Sequence, residues 1–247
     1  MKFLRGIGFS VVAIMICTMV FSGGASAATT YTIYVSDDTF VEMEIGPPWH
    51  NYGDWHNLTV ALSIGGGADT YLKFDLSVIP DDHIITSIVL WLYNYKSISG
   101  IWMGATHNNA NVIAYHVDDD TWDEMTVTWN NRPPYTSLLG TETDSGENKW
   151  YSWDLMVTSY DYSGDLVDDD LSIALVEAPI TPDDFGISEY YSREKLPEQG
   201  YPYRPYLVVE AYRPSEVPEL PLGIPIITSI ALVAYLAIRK RIGKKPE

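Results

Sequence analysis

Between residues 30 and 213 the chain alternates apolar and polar residues in short runs, and clusters of Gly, Pro, Asn and Asp keep cutting those runs off. Successive side chains on a strand point to opposite faces, so a period of two marks a half-buried strand. Such runs predict strands at Thr30–Val35, Thr39–Met43, Leu58–Ile64, Thr70–Asp75, Ile84–Tyr95 and Val112–Val117. Further ones follow at Met125–Trp129, Lys149–Asp154, Leu171–Val176, Ile187–Tyr191 and Tyr206–Tyr212. In the seventh, Met125, Val127 and Trp129 share one face while Glu124, Thr126 and Thr128 share the other. No long window keeps a helical period before residue 220, and no internal repeat is visible. Many short strands with few helices predict an all-β domain of two packed antiparallel sheets.

The two ends have a different character. Lys2 and Arg5 precede an apolar run from Ile7 to Phe21 and then Ser22–Ala27, which closes on Ala25-Ser26-Ala27. A basic start, an apolar centre and an Ala-x-Ala exit are the parts of a secretory signal, with cleavage expected after Ala27 and an uncleaved anchor as the alternative. Leu220–Ile238 is a second uncharged apolar stretch, nineteen residues long, followed by Arg239, Lys240, Arg241, Lys244 and Lys245. As a helix it would reach about 28 Å, close to the ~30 Å of a bilayer core, and its trailing cations would stay in the cytoplasm. The expected organisation is a signal peptide over 1–27, a β-domain over 28–213, a proline-rich linker over 214–219, a transmembrane helix over 220–238 and a basic cytoplasmic tail over 239–247. The body then faces outward, at the cell surface.

The sole cysteine, Cys17, lies inside the first apolar run, so disulfides cannot stabilise the mature domain. Residues 28–219 carry 8 basic and 32 acidic side chains, a net charge of −24. That surface repels nucleic acid, whose binding depends on cationic contacts to phosphate. It suits a solvated exterior domain, a salt-rich setting or an affinity for divalent cations.

Several blocks in the body line up with a known family. Asp38-Thr39-Phe40-Val41 and Asn51-Tyr52-Gly53 come first, then Tyr71-Leu72-Lys73-Phe74-Asp75-Leu76 with Ile79-Pro80. The most specific is Trp122-x-Glu124-x-x-Val127-Thr128-Trp129-Asn130-x-x-Pro133, followed by Trp153-Asp154, Tyr190-Tyr191-Ser192-Arg193-Glu194 and Arg204-Pro205-Tyr206-Leu207-Val208-Val209. In this order they resemble the DNRLRE-domain family, also classed as carbohydrate-binding module family 96, whose archaeal members are called disaggregatase-related repeats. The resemblance implies a jelly-roll β-sandwich and binding to polysaccharide. Two departures are the displaced threonine after Asp154 and the stretch Ile101–Asn111, which matches no family block. Val217-Pro218-Glu219-Leu220-Pro221 ahead of the apolar span resembles an archaeal PEF-CTERM sorting signal. It implies an archaeal envelope protein, with archaeosortase-type processing to a lipid-linked form as the alternative to an ordinary anchor.

Among eight tryptophans, Trp91, Trp129 and Trp153 lie in strand patterns and are expected in the core, with Trp122 packing beside a turn. Sugar faces stack on aromatic rings while polar groups fix their hydroxyls. The candidate ligand-binding residues are therefore in loops: Trp49, Asn51, Tyr52, Trp55 and Trp102. Asp38 is the candidate ligand of a structural calcium, since calcium takes six to eight oxygens. The runs Asp118-Asp119-Asp120 and Asp168-Asp169-Asp170 read as solvated turns, and the five histidines lack the spacing of a zinc site. Asn57-Leu58-Thr59 is an N-glycosylation sequon on an exported face. No catalytic signature competes, because Ser192-Arg193-Glu194-Lys195 lacks the companion motifs of a Ser-x-x-Lys enzyme. The expectation is a non-catalytic module that binds polysaccharide or envelope glycan. A structural or adhesive envelope protein and a polysaccharide-degrading enzyme are the alternatives. An exposed aromatic row or groove beside polar side chains favours the first over the second, and two carboxyls ~5–9 Å apart across a walled cleft favour the last.

Overall fold

A computed structural model describes residues 28–43, 49–63, 66–99, 110–178, 186–195 and 203–214. The signal segment, the C-terminal apolar span with its PEF-CTERM-like motif, and Trp102 lie outside the described residues. Among the described residues no helix is long and apolar enough to cross a membrane. Residues 27–213 form one compact unit.

This unit is all-β, built from β1 (Thr29–Tyr34), β2 (Asp37–Glu42), β3 (Asn57–Ser63), β4 (Gly66–Asp75), β5 (Ile84–Ser99) and β6 (Ala110–Val117). β7 (Tyr135–Asp144), β8 (Lys149–Asp154), β9 (Asp170–Ala178), β10 (Gly186–Tyr191) and β11 (Tyr206–Tyr212) follow, with one short helix, α1 (Ser163–Asp168), before β9. The strands join one hydrogen-bonded sheet in the order β1-β11-β5-β10-β3-β4-β9-β6-β7, with β2 on β4 and β8 on β5. All of the pairings are antiparallel. The all-β antiparallel architecture is as expected, and in place of two packed sheets one continuous hydrogen-bonded sheet curls into a half-barrel, consistent with a β-sandwich. The long strand β5 makes this continuity. Ile84–Trp91 pairs with β11 and Asn94–Ser99 with β10, while Val89–Asn94 holds β8.

Inside the curl, alternate residues bury the main core. Leu72 and Phe74 of β4 meet Leu171, Ile173 and Leu175 of β9, with Leu90, Leu92, Trp153, Tyr190 and Val209 among their partners. Trp153 is fully buried, and its indole N–H donates to the Val112 carbonyl at 3.0 Å. A large buried aromatic without its polar handle satisfied would cost stability, so this bond fixes the ring in place. Gly140 lets β7 approach β8: a Cβ there would lie 2.3 Å from the Asp154 carbonyl oxygen. β4 and β9 are also buried on their second face, where Tyr71, Ala174, Val41 and Val117 meet Trp122 and Val127 of the segment after β6.

That segment overturns the expected strand Met125–Trp129. Residues 121–131 form successive turns instead. The Asp123 carbonyl accepts from Thr126 and Val127, and its side chain accepts from the Met125 N–H at 2.9 Å. Asn131 Oδ1 accepts from the Thr128 N–H at 2.6 Å, and its amide donates to the Thr126 carbonyl. Asp and Asn side chains thus take the backbone groups a ladder would have used. The strand missed from sequence, β7, lies at the end of the strand order, carries three threonines, and pairs only with β6 among the described strands. Trp91 and Trp129, expected in the core, are half-buried at the surface; Trp91 stacks on Tyr206 at 6.2 Å. Trp122 and Trp153 are buried as expected.

Trp153→Ala is expected to lower unfolding free energy by about 3–5 kcal/mol in urea titration, the cost of a large aromatic removed from a close-packed core. Trp49, which is 66% exposed, sets the comparison: its replacement by alanine should change stability by no more than ~0.5 kcal/mol.

Candidate functional site

The segment from Asp118 to Pro134 has no ladder partner, so its backbone is held by side chains from elsewhere. Asn51 donates its amide to the Glu124 carbonyl at 2.6 Å and to the Val127 carbonyl at 2.8 Å. The Tyr71 hydroxyl donates to the Pro133 carbonyl at 2.9 Å, and the Lys73 ammonium to the Trp122 carbonyl at 2.7 Å. The Trp122 indole N–H donates to Ser172 Oγ at 2.9 Å. Gly53 lets the 49–55 loop approach: a Cβ there would sit 2.2 Å from the Glu124 carbonyl oxygen. The Glu124 carboxylate, buried, accepts from the Asp38 N–H at 3.1 Å and pairs with the Arg193 guanidinium, which also donates to the Ser36 carbonyl.

A loop held at so many points presents its last residues to a cleft of about 410 Å³, within the range of ligand pockets. Trp129, Arg132 and Tyr135 line one side, with Asp69, Met43, Leu62 and Glu177 among the residues on the other. Arg132 folds back on its own loop. Its guanidinium carbon lies 3.6 Å from the Trp129 ring centroid, and it donates to the Trp129 carbonyl at 2.5 Å. Its Nε is 3.6 Å from Asp69 Oδ2. Asp69 is buried, and desolvation outweighs the attraction of Arg132, so its carboxyl is raised to about 6. The cleft thus combines an aromatic ring, a phenol, a cation and a carboxyl that titrates near neutrality. With Arg132 stacked over the Trp129 ring, the pair offers the cleft a half-buried aromatic and guanidinium donors rather than a bare ring face.

A second aromatic surface covers the outer side of β5, β8, β10 and β11. Tyr93 stacks on Tyr191 at 5.8 Å and Tyr95 on Tyr191 at 4.4 Å; Trp150, Tyr203 and Tyr206 continue the band. Tyr191 lies parallel to both Tyr93 and Tyr95, while Trp150 meets Tyr93 and Tyr206 edge-on, so the rings of the band pack on one another.

The residues expected at a ligand site fall in different places. Trp49 and Trp55 are 66% and 49% exposed, and Trp55 meets Phe40 and Tyr52 edge-on. Tyr52 is buried and stacked on Phe40 at 4.1 Å, with its hydroxyl on Glu42. Asn51 spends its amide on the loop, and its Oδ1 accepts from the Gly53 N–H. None of the four lines the cleft. Asp38 is buried beside Glu124 and Glu194. Asn57 lies in β3, and its amide donates to Thr59 Oγ1 within the sequon at 3.1 Å. The first aspartate run has a use beyond a solvated turn. Asp118 and Asp165 hold the buried His116 ring at 2.9 and 2.8 Å, and Tyr160 reaches it at 2.7 Å. Burial alone would lower the His116 pKa, but the two carboxylates raise it. Sequence reasoning missed the cleft because it placed Trp129 in a strand; the stacking of Trp129 and Arg132 three positions apart is a turn signal that a strand pattern hides.

The raised Asp69 carboxyl has a stability consequence with a definite sign. The folded state holds this proton up to about pH 6, while the unfolded chain releases it near 3.8. Asp69 therefore costs stability above pH 6, and the cost fades as pH falls. Measured against Asp69→Asn, the wild-type unfolding free energy should gain about 1 kcal/mol between pH 7 and pH 5. A difference between the two proteins that stays flat with pH would show Asp69 to titrate in the ordinary range.

Among curated proteins, the chain is 30% identical over 135 residues to a gellan lyase of a Bacillus species, an alignment covering 53% of this chain and 5% of that enzyme. The chain therefore spans a small part of that relative. Among solved structures, one described as a glycoside hydrolase from Bacteroides thetaiotaomicron aligns at 10% identity and a TM-score of 0.22, covering 77% of this chain and 79% of that one. Another, of infectious bursal disease virus Gx strain, aligns at 9% identity and a TM-score of 0.20, covering 76% and 38%. Likenesses that low carry no argument. The family match is of another order: the model of carbohydrate-binding module family 96 covers residues 29–201, from β1 past β10 and including every residue that lines the cleft. The chain belongs to carbohydrate-binding module family 96.

Proposed function

We propose that this protein is a non-catalytic polysaccharide-binding module whose glycan lies across the cleft formed by Trp129, Arg132, Tyr135 and Asp69. The observation that carries the reading is the Trp129–Arg132 pair, held at 3.6 Å at the end of a rigid loop over a concave surface. Rigid placement limits the ordering cost of binding, so a few contacts suffice for useful affinity. Arg132 supplies a donor fork suited to hydroxyls or to the carboxylate of an acidic sugar. The likeness to a gellan lyase makes gellan the polysaccharide to test first, with Arg132 in the cleft working against the net charge of −24 over residues 28–219, which repels a polyanion. It also supports a second reading, in which the module works as an accessory to a polysaccharide-degrading enzyme.

Display outside the cell belongs to the same proposal. The 220–238 apolar span as a membrane anchor, its archaeosortase-type processing in an archaeal envelope, and a glycan on Asn57 rest on sequence alone. A purely structural or adhesive envelope role would leave the cleft without a ligand.

The test is retention by immobilised gellan, with a neutral polysaccharide beside it. The wild-type protein should be retained, and Trp129→Ala and Arg132→Gln should each weaken retention at least about tenfold, the worth of one good contact. Both variants should still unfold in a single cooperative transition, and neither should shorten the polymer. Trp49→Ala and Trp55→Ala should be retained like wild type. Retention lost with Trp49 and Trp55 but kept without Trp129 would move the site to the 49–55 loop, and no retention on any polysaccharide would favour the structural role.

A further inference from the structure

Behind the loop, on the side of Glu124, three carboxyls converge. Asp38, Glu124 and Glu194 each bring one oxygen within 4.8 Å of the others. Oxygens that share one calcium ion at about 2.4 Å lie no more than about 4.8 Å apart. An acidic cluster alone proves nothing, since such groups often simply face water. Here one member is shut away from water. Asp38 is 1% exposed, and its Oδ1 meets no N–H or O–H donor; Glu194 Oε2 is buried in the same condition.

The other carboxyl oxygens of the cluster are partnered, whereas Arg193 Nε is buried without a well-aligned hydrogen bond. Asp38 Oδ2 accepts from the Arg193 N–H at 2.8 Å. Glu124 accepts from the Asp38 N–H and from the Arg193 guanidinium. Glu194 Oε1 lies 2.7 Å from Arg193 Nε. One guanidinium thus faces three carboxyls, which leaves two negative charges uncompensated. Burial, and then the neighbouring Glu194, push the Asp38 carboxyl well above its usual range. Buried charge without compensation is costly, and a protein resolves it with a proton or with a cation.

We propose that Asp38 Oδ1, Glu194 and Glu124 bind a hard divalent cation, calcium by its ligand chemistry. The available donors are carboxylate oxygens, which suit calcium far better than the nitrogen- and sulfur-seeking transition metals. Calcium also tolerates an irregular ligand set completed by water, where magnesium demands a near-ideal octahedron. The ion would tie β2 to the Trp122–Pro133 loop and to the turn after β10, three segments far apart in sequence. The competing account is a proton shared between the Asp38 and Glu194 carboxyls. This proposal is independent of the polysaccharide reading, because its readouts need no glycan.

The experiment uses the full chain stripped with chelator. Thermal unfolding is followed in chelator and in about 1 mM calcium, and terbium is titrated with tryptophan-sensitised emission as the signal. Wild type should melt several degrees higher in calcium and show saturable terbium emission that calcium displaces. Asp38→Asn should lose both effects, while in chelator it should melt at or above the wild-type temperature because an unpaired buried charge is gone. Should that variant not fold, Glu194→Gln and the wild-type terbium titration carry the test. A wild-type melting temperature indifferent to calcium, or a calcium shift that persists in Asp38→Asn and Glu194→Gln, overturns the site.

Discussion

Two hydrogen bonds from the Asn51 amide, to the Glu124 and Val127 carbonyls, hold the feature on which the rest of the site depends. The loop from Asp118 to Pro134 crosses the outer face of the sheet without joining a ladder. A buried backbone must satisfy its polar groups or lose about the value of each missing bond. Here Asn51, Tyr71 and Lys73 serve the carbonyls, and Asp38 and Arg193 serve the Glu124 carboxylate. The loop is irregular in conformation and yet fully anchored.

That anchoring explains why the centre of the sheet is buried on both faces. β4 and β9 give their even-numbered β4 and odd-numbered β9 side chains, Leu72 and Phe74 against Leu171, Ile173 and Leu175, to the main core. Their other face would be exposed in a bare sheet, but Tyr71 and Ala174 pack beneath Trp122 and Val127 of the loop. A half-barrel with a stapled loop on its outer side therefore gains a second, smaller apolar cluster. Trp129 and Tyr135 sit at the rim of that cluster, half in the core and half in the cleft. The same side chains serve the packing and line the cleft.

Much of the fold was legible in the sequence because period two is a local signal. Lys149–Asp154 and Tyr206–Tyr212 match their strands end to end, since each alternates cleanly and is bounded by turn residues. Met125–Trp129 failed for a physical reason: it alternates too, but Asp123 and Asn131 capture its backbone groups first. β7 escaped notice because its three threonines and the adjacent Leu138-Leu139 leave no clean apolar–polar alternation. The single curled sheet was hidden because nothing local marks β5 as bridging β11 and β10. For the cation site, Asp38, Glu124 and Glu194 all fall in family blocks, but nothing local in the sequence announces that these three blocks meet. The cleft depends on Asp69 and Arg132 meeting across the fold, which no spacing announces.

If side chains rather than a ladder hold the loop, releasing one of them should loosen it and nothing else. Amide hydrogen exchange on wild type and Asn51→Ala measures this directly. The account predicts much faster exchange for the amides of residues 123–131 in the variant, with β4 and β9 as protected as before. Unchanged loop exchange, or an equal loss of protection throughout the sheet, would contradict it.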